Sequence, residues 1–158
     1  ILTPSGEENI TDIETLKFIN KDFDVEKDVM GVFKQITGID NITGKIFRLY
    51  NSSFNRIPDF DGFEYWIKMG NEGLNTYQQI GVSFVNSKEF SDKYNENISH
   101  ADYLTNLYFN IFERTPDTEG YEYWLGKLEK GYENKADVLM GFSESDESKI
   151  LFQSQTMI

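Results

Sequence analysis

Apolar residues in this chain recur at helical spacing. Between residues 42 and 55 they stand mostly three or four positions apart, which places them on one face of a helix; the face consists of Ile42, Ile46, Leu49, Tyr50 and Phe54. Pro58 interrupts this helix, because the proline ring disfavours helical backbone at the preceding residue and offers no amide donor. Asp59 can cap a second helix at about residues 60–71, and Gly73 can end it. The pattern thus predicts two helices joined by a proline turn.

Two shorter helices follow in the prediction. Asn75 or Thr76 begins the first of them and Ser87 begins the other, since these residue types cap helix N-termini. No Asn-Gly turn between alternating strands is present, so nothing in the pattern favours a β-hairpin. An all-α fold built from short helices is therefore predicted.

The pattern returns after 58 residues. Residues 46–90 are identical to residues 104–148 at 14 of 45 positions, without a gap. Similarity at a fixed period is the signature of a repeat architecture. We predict a tandem array of two units of about four short helices each, with the first unit at residues 42–98 and the second at residues 99–158.

The residues before the first unit show no copy of the repeat. Residues 1–11 are rich in polar residues, Pro and Gly and are predicted to be a linker. Residues 12–41 are predicted to form a helical cap or a degenerate unit. Within them, residues 12–20 fit either a short helix or a strand, whereas Asp24 can cap a helix that ends near Gly38.

The composition is that of a folded, acidic protein. The chain has 158 residues, of which 39% are hydrophobic and 15% aromatic, and its net charge is −12. This negative charge is evenly spread and repels phosphate backbones and anionic lipid, so neither nucleic acid nor a membrane surface is an expected partner. No apolar run reaches the length of a membrane span, so insertion is not expected. The lack of cysteine excludes disulfides and thiolate metal sites.

The residues shared by both units carry a family resemblance. The repeated motif, Phe-x-Arg-x-Pro-Asp-x-x-Gly-x-Glu-Tyr-Trp, resembles that of the DUF4214 family, and the similarity covers about residues 42–94 and 100–152. Two departures are present: the glycine usual before the arginine is Asn55 in one unit and Glu113 in the other, and the last phenylalanine of the second unit is Ser148. The resemblance implies a helical fold, distantly similar to the phycobilisome linker domain, and no catalytic residue.

Arg56 and Arg114 stand at the same place in the two units, directly after a helix. Each is predicted to form a structural salt bridge with an acidic residue present in both units. The candidates near in sequence are Asp59 and Glu64, or Asp117 and Glu122, and those further on are Glu89 and Glu147. A guanidinium fork suits this role better than lysine because it can bind both oxygens of a carboxylate. The alternative is that both arginines hold the carboxylate or phosphate of a ligand.

Acidic residues surround the repeated glycines Gly62 and Gly120. They are Asp59, Asp61, Asp117 and Glu119. Alternating oxygen donors around a glycine resemble half of a calcium-binding loop, so calcium is possible, although the bidentate glutamate at the twelfth position is missing. Helix capping and compensation of the helix dipole explain the same residues without a metal, and no other cofactor is expected.

Each unit contains a Tyr-Trp pair, Tyr65–Trp66 and Tyr123–Trp124. Neighbouring residues on a helix point about 100° apart, so one ring of each pair faces the core and the other is partly exposed. We predict that the tryptophans fill the core, and that the tyrosines form a repeated surface for a glycan or a protein. The other residues predicted to be structural are Pro58, Pro116, Gly62, Gly120, Glu89 and Glu147.

The sequence favours binding over catalysis. Its only histidine, His100, has no second histidine or cysteine with which to form a metal site or a nucleophile–base pair, so an enzyme is not expected. The N-terminus lacks an initiator Met and a signal-peptide pattern, which is typical of a piece of a longer protein.

We therefore expect a non-catalytic interaction or assembly module of a larger bacterial exported or cell-surface protein, with a protein or a glycan outside the cell as its partner. The DUF4214 resemblance implies this setting. One alternative is a glycan-binding module that uses the repeated exposed aromatics. The other is a helical accessory domain of a glycan-modifying enzyme whose catalytic domain lies outside this sequence.

Overall fold

The computed structural model describes residues 2–3, 6–7, 15–17 and 22–158, with side chains from residue 24 onward. The predicted all-α class is confirmed, because the described core consists of helices. They are α1 (Gly31–Gln35), α2 (Ile42–Phe54), α3 (Phe60–Asn71), α4 (Tyr77–Val85), α5 (Lys88–Tyr94), α6 (His100–Phe112), α7 (Thr118–Glu129), α8 (Lys135–Ser143) and α9 (Asp146–Thr156).

Two short antiparallel strand pairs precede the helices. Strand β1 (Leu2–Thr3) pairs with β2 (Gly6–Glu7), and β3 (Thr15–Lys17) pairs with β4 (Asp22–Asp24). Part of the predicted linker thus forms strands, and the remainder of residues 1–11 lies outside the described residues. The ambiguous stretch at 12–20 is a strand where the structure describes it.

The first helical segment differs from its prediction at one end. Asp24 caps it as expected, with its carboxylate accepting the backbone N–H of Lys27 at 2.8 Å. The chain then forms a π-helical turn over Val25–Met30 before α1, and the helix ends at Gln35 instead of near Gly38. The termination is early because Ile36 already has extended backbone and Gly38 does not adopt the left-handed conformation.

The helix boundaries recur at an interval of 58 residues. Helices α6, α7 and α8 begin and end 58 residues after α2, α3 and α4, and α9 begins 58 residues after α5 but is longer. We call α2–α5 the first helix set and α6–α9 the second helix set. The left-handed residues that end the helices recur as well, at Asn55 and Glu113 with φ 52° and at Gly73 and Gly131 with φ 67°.

The N-terminal caps also recur in both sets. Thr76 in the first set and Asn134 in the second form capping boxes with the residue three positions on. Ser87 and Ser145 cap α5 and α9 through their side chains. Local sequence therefore determines where each helix begins.

The two helix sets share one core. Helix α2 lies at its centre and packs against α3, α6 and α8, while α4 packs against α8. The core is continuous through both sets and includes Phe47, Phe63, Phe84, Tyr103, Leu107, Leu139, Phe142 and Phe152. None of the helices in the described part of the chain is both long enough and apolar enough to span a membrane.

Candidate functional site

The first repeated cluster is built around Arg56, directly after the left-handed end of α2. Its guanidinium binds Glu89 with two hydrogen bonds, Nε to Oε1 at 2.8 Å and Nη2 to Oε2 at 2.9 Å. Nη1 donates to the carbonyl of Ile57 at 3.0 Å. The guanidinium carbon lies 5.2 Å from the ring centre of Tyr50 and 5.5 Å from that of Phe54. Arg56 thus ties the end of α2 to α5.

The second cluster has the same geometry around Arg114. Its guanidinium binds Glu147 with two hydrogen bonds, Nε to Oε1 at 3.1 Å and Nη2 to Oε2 at 2.8 Å. Nη1 donates to the carbonyl of Thr115 at 3.2 Å. The guanidinium lies 5.1 Å from the ring centre of Tyr108 and 5.4 Å from that of Phe112. Both arginines are therefore paired with a carboxylate of the protein itself, in the arrangement that the sequence favoured over ligand binding.

Within each cluster, the opposite charges stabilise each other. Hydrogen bonds and the charge of Glu147 raise the pKa of Arg114. For Arg56, burial is the largest single effect and lowers the pKa. The hydrogen bonds and charge of Glu89 together outweigh burial, so the pKa of Arg56 is also raised. Both guanidinium groups are therefore charged at neutral pH.

The glycines of the motif make room for a tyrosine hydroxyl. A Cβ atom at Gly62 would lie 2.6 Å from the hydroxyl of Tyr50, and one at Gly120 would lie 2.5 Å from that of Tyr108. Both distances are below van der Waals contact, so a side chain at either place would displace the ring. The first turn of α3 or α7 thus approaches a tyrosine closely, which explains why both units have glycine here.

The acidic residues considered for calcium are engaged mostly within the protein. Asp59 accepts the backbone N–H of Gly62 at 2.9 Å and lies 3.5 Å from Arg56. Asp61 forms an ion pair with Lys27 at 2.9 Å.

The second set repeats the capping arrangement. Asp117 accepts the N–H of Gly120 at 2.8 Å, and this hydrogen bond is the largest cause of its lowered pKa. Glu119 is exposed in the first turn of α7. Across the residues that the structure describes, no three histidine, aspartate or glutamate side chains stand close enough together to hold a metal ion.

The Tyr-Trp pairs present the same surface twice. Tyr65 is 50% exposed and Tyr123 is 55% exposed. Each ring meets the neighbouring tryptophan edge to face, with ring centres 4.9 Å apart at 75° for Trp66 and 5.0 Å apart at 76° for Trp124. The tryptophans are half-buried and pack against the core. The tyrosine rings are thus held by a fixed aromatic partner.

An open pocket lies beside the second cluster. Its volume is about 230 Å³, and its walls include Arg114, Trp124, Phe142 and Glu147. Trp124 leans over Gly141, where a Cβ would lie 2.5 Å from the indole. Both the charged pair and the indole therefore border the pocket.

The junction between the helix sets contains an ion pair between a buried arginine and a half-buried glutamate, which the sequence did not reveal. Arg48 is 1% exposed, and its Nη2 lies 2.8 Å from both carboxylate oxygens of Glu144. Nε donates to the carbonyl of Ser143 at 3.0 Å and Nη1 to that of Ile39 at 2.6 Å. The hydroxyl of Tyr77 donates to Glu144 at 3.2 Å. This network joins α2 of the first set to the end of α8 of the second.

One signal in the sequence could have indicated this junction. The residue 58 positions after Arg48 is Asn106, and the residue 58 positions before Glu144 is Asn86. Charged residues that one unit has and the other lacks are candidates for contacts between the units, because contacts within a unit are needed in both.

A cleft of about 180 Å³ also opens at this junction. Several of its walls are amides, and Asn51 donates to Gln155 at 2.7 Å across it. The remaining amide and apolar walls include Asn55, Asn110, Ile111, Phe112, Leu151 and Phe152.

These features together define an all-α protein of short capped helices with two arginine–carboxylate–aromatic clusters. Residues 81–152, a little less than half of the chain, match the model of the family described as Domain of unknown function (DUF4214). The match supports the resemblance seen in the sequence; it includes Arg114, Trp124 and Glu147 and leaves residues 42–80 outside. The chain has no match among curated proteins or among solved structures.

Proposed function

We propose that this chain is a non-catalytic binding module that contacts a protein partner through Tyr65 and Tyr123. The observation that carries the proposal is the equal presentation of these rings, each about half exposed and each set edge to face on a tryptophan. A surface that occurs twice in the same geometry suits a partner with a repeated or extended contact face. On this proposal, residues 42–94 and 100–152 are two DUF4214 units.

Tyrosine is well suited to such a contact. Its ring provides a large amphipathic surface, and it has few rotatable bonds to immobilise on binding. The tryptophan edge already restricts each ring before the partner arrives, which lowers the entropic cost of association. The aromatic pairs are therefore preorganised for binding.

The chemistry of the clusters supports binding over catalysis. The guanidinium groups of Arg56 and Arg114 are both engaged by a carboxylate of the protein, and both sit on aromatic rings. Such groups hold helices together and do not offer a free acid, base or nucleophile. The wider setting that we propose is a larger bacterial exported or cell-surface protein, which is what the resemblance to the DUF4214 family implies.

A glycan partner is the second candidate. Two equivalent exposed tyrosines favour it, because an aromatic face can stack on a sugar ring. The cleft beside Asn51 and Gln155 adds amide groups that can form hydrogen bonds with a hydroxyl-rich ligand, and its walls also include the charged side chains of Arg48 and Glu113. A helical accessory domain of a glycan-modifying enzyme would use the same surface.

The experiment compares the wild-type chain with the double variant Tyr65→Ala plus Tyr123→Ala. Each is immobilised and exposed to surface extracts of the parent cell and to a glycan array, with and without calcium. Tyr132→Ala is the matched control, because Tyr132 is 72% exposed but belongs to neither Tyr-Trp pair.

We expect one protein to bind the wild type and the control and to be lost from the double variant. Binding should also change the tryptophan fluorescence, since each tyrosine touches an indole. A ligand retained equally by all three chains would refute the role of the tyrosines. Loss of a single sugar class from the double variant, with no protein lost, would favour the glycan candidate instead.

A further inference from the structure

The cleft between the second half of α2, the end of α6 and α9 has a small residue in a place where the first helix set has a large one. Ser148 of α9 lines this cleft of about 180 Å³ and is only 5% exposed. We call it the Ser148 cleft. The counterpart of Ser148, 58 positions earlier in α5, is Phe90, whose ring is buried in the core. The second set thus has a hydroxymethyl group where the first set has a phenyl ring.

The neighbouring positions differ in exposure in the same sense. At the end of α2, Ser52 and Ser53 are fully buried. Their counterparts at the end of α6, Asn110 and Ile111, are half-buried and line the Ser148 cleft. The space that is closed beside α2 is therefore open beside α6. This is the result expected where a large side chain is replaced by a small one and the surroundings do not fully collapse.

The volume of the Ser148 cleft suits one six-membered ring. An apolar cavity of about 150 Å³ is large enough to bind benzene, and this cleft is of similar size. Phe152, one of its walls, is the counterpart of Tyr94. In the first set, the ring centre of Tyr94 lies 4.4 Å from that of Phe90. The aromatic neighbour of the absent ring is therefore retained. The other apolar walls are Ile111, Phe112 and Leu151.

Polar groups in the same walls favour a ring that carries a hydroxyl group. Among the described residues, the side chain of Ser148 has no hydrogen-bond partner, and only its backbone N–H is bonded, to the hydroxyl of Ser145 at 3.2 Å. Asn110 donates its amide N–H to the hydroxyl of Tyr94 at 3.0 Å, which leaves its amide oxygen as an acceptor. Tyr103, the second aromatic neighbour of Phe90, has no equivalent among the cleft walls. The cleft is thus more polar than the surroundings of Phe90.

The charges of the cleft select against an anionic ligand. Arg48 is one of the walls, but its guanidinium is already paired with Glu144. Glu113 is exposed and also lines the cleft, and the whole chain has a net charge of −12. A carboxylate on the ring would therefore be repelled, whereas a phenolic hydroxyl is neutral at pH 7 and is not.

We propose that the Ser148 cleft is a binding site for a small neutral aromatic molecule of the phenol class. The ring lies beside Phe152, in the place that Phe90 occupies in the first helix set. Its hydroxyl bonds to the hydroxyl of Ser148 or to the amide oxygen of Asn110. Tyr65 and Tyr123 are not among the walls of the cleft, so this site is separate from the contact proposed above.

The first test is titration of the wild-type chain with phenol, followed by calorimetry and by the amide signals in a ¹⁵N–¹H NMR spectrum. We expect one phenol to bind per chain with a Kd of about 1 mM, which is reasonable for a ligand of so few atoms. The amide signals of Asn110, Ile111 and Ser148 should shift, and those of Tyr65 and Tyr123 should not. Benzoate and glucose are the comparison ligands, and each should bind at least about tenfold more weakly than phenol.

A pair of variants tests whether the absent ring creates the site. Ser148→Phe places the residue of the first set in the second, so it should fill the cleft and abolish the binding of phenol. Ser154→Phe is the matched control, because Ser154 is an exposed residue of the same helix and is not among the cleft walls. This control should bind phenol as the wild type does. Circular dichroism and urea unfolding check that both variants are folded.

Three results would overturn the proposal. One is a wild-type spectrum in which phenol shifts none of the amide signals of the cleft walls, a result that needs no variant to fold. Another is equal binding of phenol by Ser148→Phe and Ser154→Phe. The third is tighter binding of benzoate or glucose than of phenol. Tyr65→Ala plus Tyr123→Ala should bind phenol as the wild type does, so this inference and the proposed function can fail separately.

Discussion

Helices α2 and α6 are the same element in two different surroundings. Both have 13 residues, begin with a side-chain cap and end in a left-handed residue that precedes an arginine. Yet α2 is covered on almost every side and buries Arg48, whereas α6 exposes a stripe that contains Asn106 and Phe109. The local pattern makes both segments helical, and the few residues that differ decide which helix lies inside.

The largest expected effect comes from breaking the ion pair between Arg48 and Glu144, which α2 forms and α6 lacks. Arg48→Met should lower the free energy of unfolding by about 3 kcal/mol, because it leaves Glu144 with only the hydroxyl of Tyr77 as a donor and two backbone carbonyls with none from Arg48. Methionine roughly retains the apolar length of the side chain, so the loss is chiefly of polar contacts. Urea unfolding measures the change.

The matched control is Asn106→Met, the same new residue at the equivalent place on α6. Since Asn106 is exposed, its replacement should change the free energy of unfolding by no more than about 0.5 kcal/mol. If Arg48→Met and Asn106→Met lowered the free energy of unfolding equally, the inference that this position is buried in α2 and open in α6 would be contradicted. Equal stability of Arg48→Met and the wild type would show that the ion pair contributes nothing net.

A smaller effect is expected at the first turn of the same two helices. A Cβ atom at Gly44 would overlap the carbonyl oxygens of Gly38 and Ile39, so Gly44→Ala forces the loop away from α2. We expect a loss of about 1–3 kcal/mol, typical of overpacking, despite the better helix propensity of alanine. Thermal and urea unfolding check this.

The control for this position is Asp102→Ala on α6. Asp102 is exposed, but its carboxylate accepts a hydrogen bond from the N-cap Ser99 in the first turn of α6, so its replacement should cost no more than about 1 kcal/mol. A Gly44→Ala variant that is more stable than the wild type would mean that the loop adjusts without cost, and that the tight covering of α2 is not a constraint.

The two helices also indicate what sequence can and cannot predict. The boundaries from α2 to α9 follow from apolar spacing, Asp and Ser caps and left-handed glycines, all of which are local signals. The pairing of Arg56 with Glu89 spans 33 residues, and the recurrence of both residues 58 positions later made Glu89 one of three candidate partners, with Asp59 and Glu64. Repetition thus supplied long-range information that a single unit would not have provided.

A contact that has no equivalent in the other helix set could not be predicted from repetition. Arg48 and Glu144 are 96 residues apart, and neither has a charged counterpart in the other unit. Their meeting depends on how the helix sets pack together, which apolar periodicity does not specify. The strands and the π-helical turn before α1 were missed or left open for a related reason, since short segments have no stable period.

The smallest expected effect concerns a second pair of equivalent residues, Tyr94 in α5 and Phe152 in α9. Both rings are buried, but only Tyr94 has a hydroxyl, which receives a hydrogen bond from Asn110 at 3.0 Å. Burial raises the pKa of Tyr94 to about 12, and the donation from Asn110 only partly opposes it. Alkaline pH should therefore act on the first helix set through a group that the second set lacks at this position.

The sign follows from proton binding. Below pH 10, the ordinary tyrosine pKa, Tyr94 is neutral in the folded and the unfolded chain. Its contribution to the free energy of unfolding is then fully present. Between pH 10 and 12 the unfolded chain releases the proton first, so stability falls by about 1.4 kcal/mol per pH unit for this one group. Above pH 12 both states have lost the proton and the contribution no longer changes.

Tyr94→Phe should remove this part of the alkaline loss. From pH 8 to pH 11 its free energy of unfolding should fall by about 1 kcal/mol less than that of the wild type, measured by urea unfolding at both pH values. Tyr132→Phe removes a hydroxyl from an exposed ring and controls for the substitution itself. If Tyr94→Phe and the wild type lost stability in parallel, the buried hydroxyl would not be the alkaline-sensitive group. The difference between α5 and α9 would then lie in packing alone.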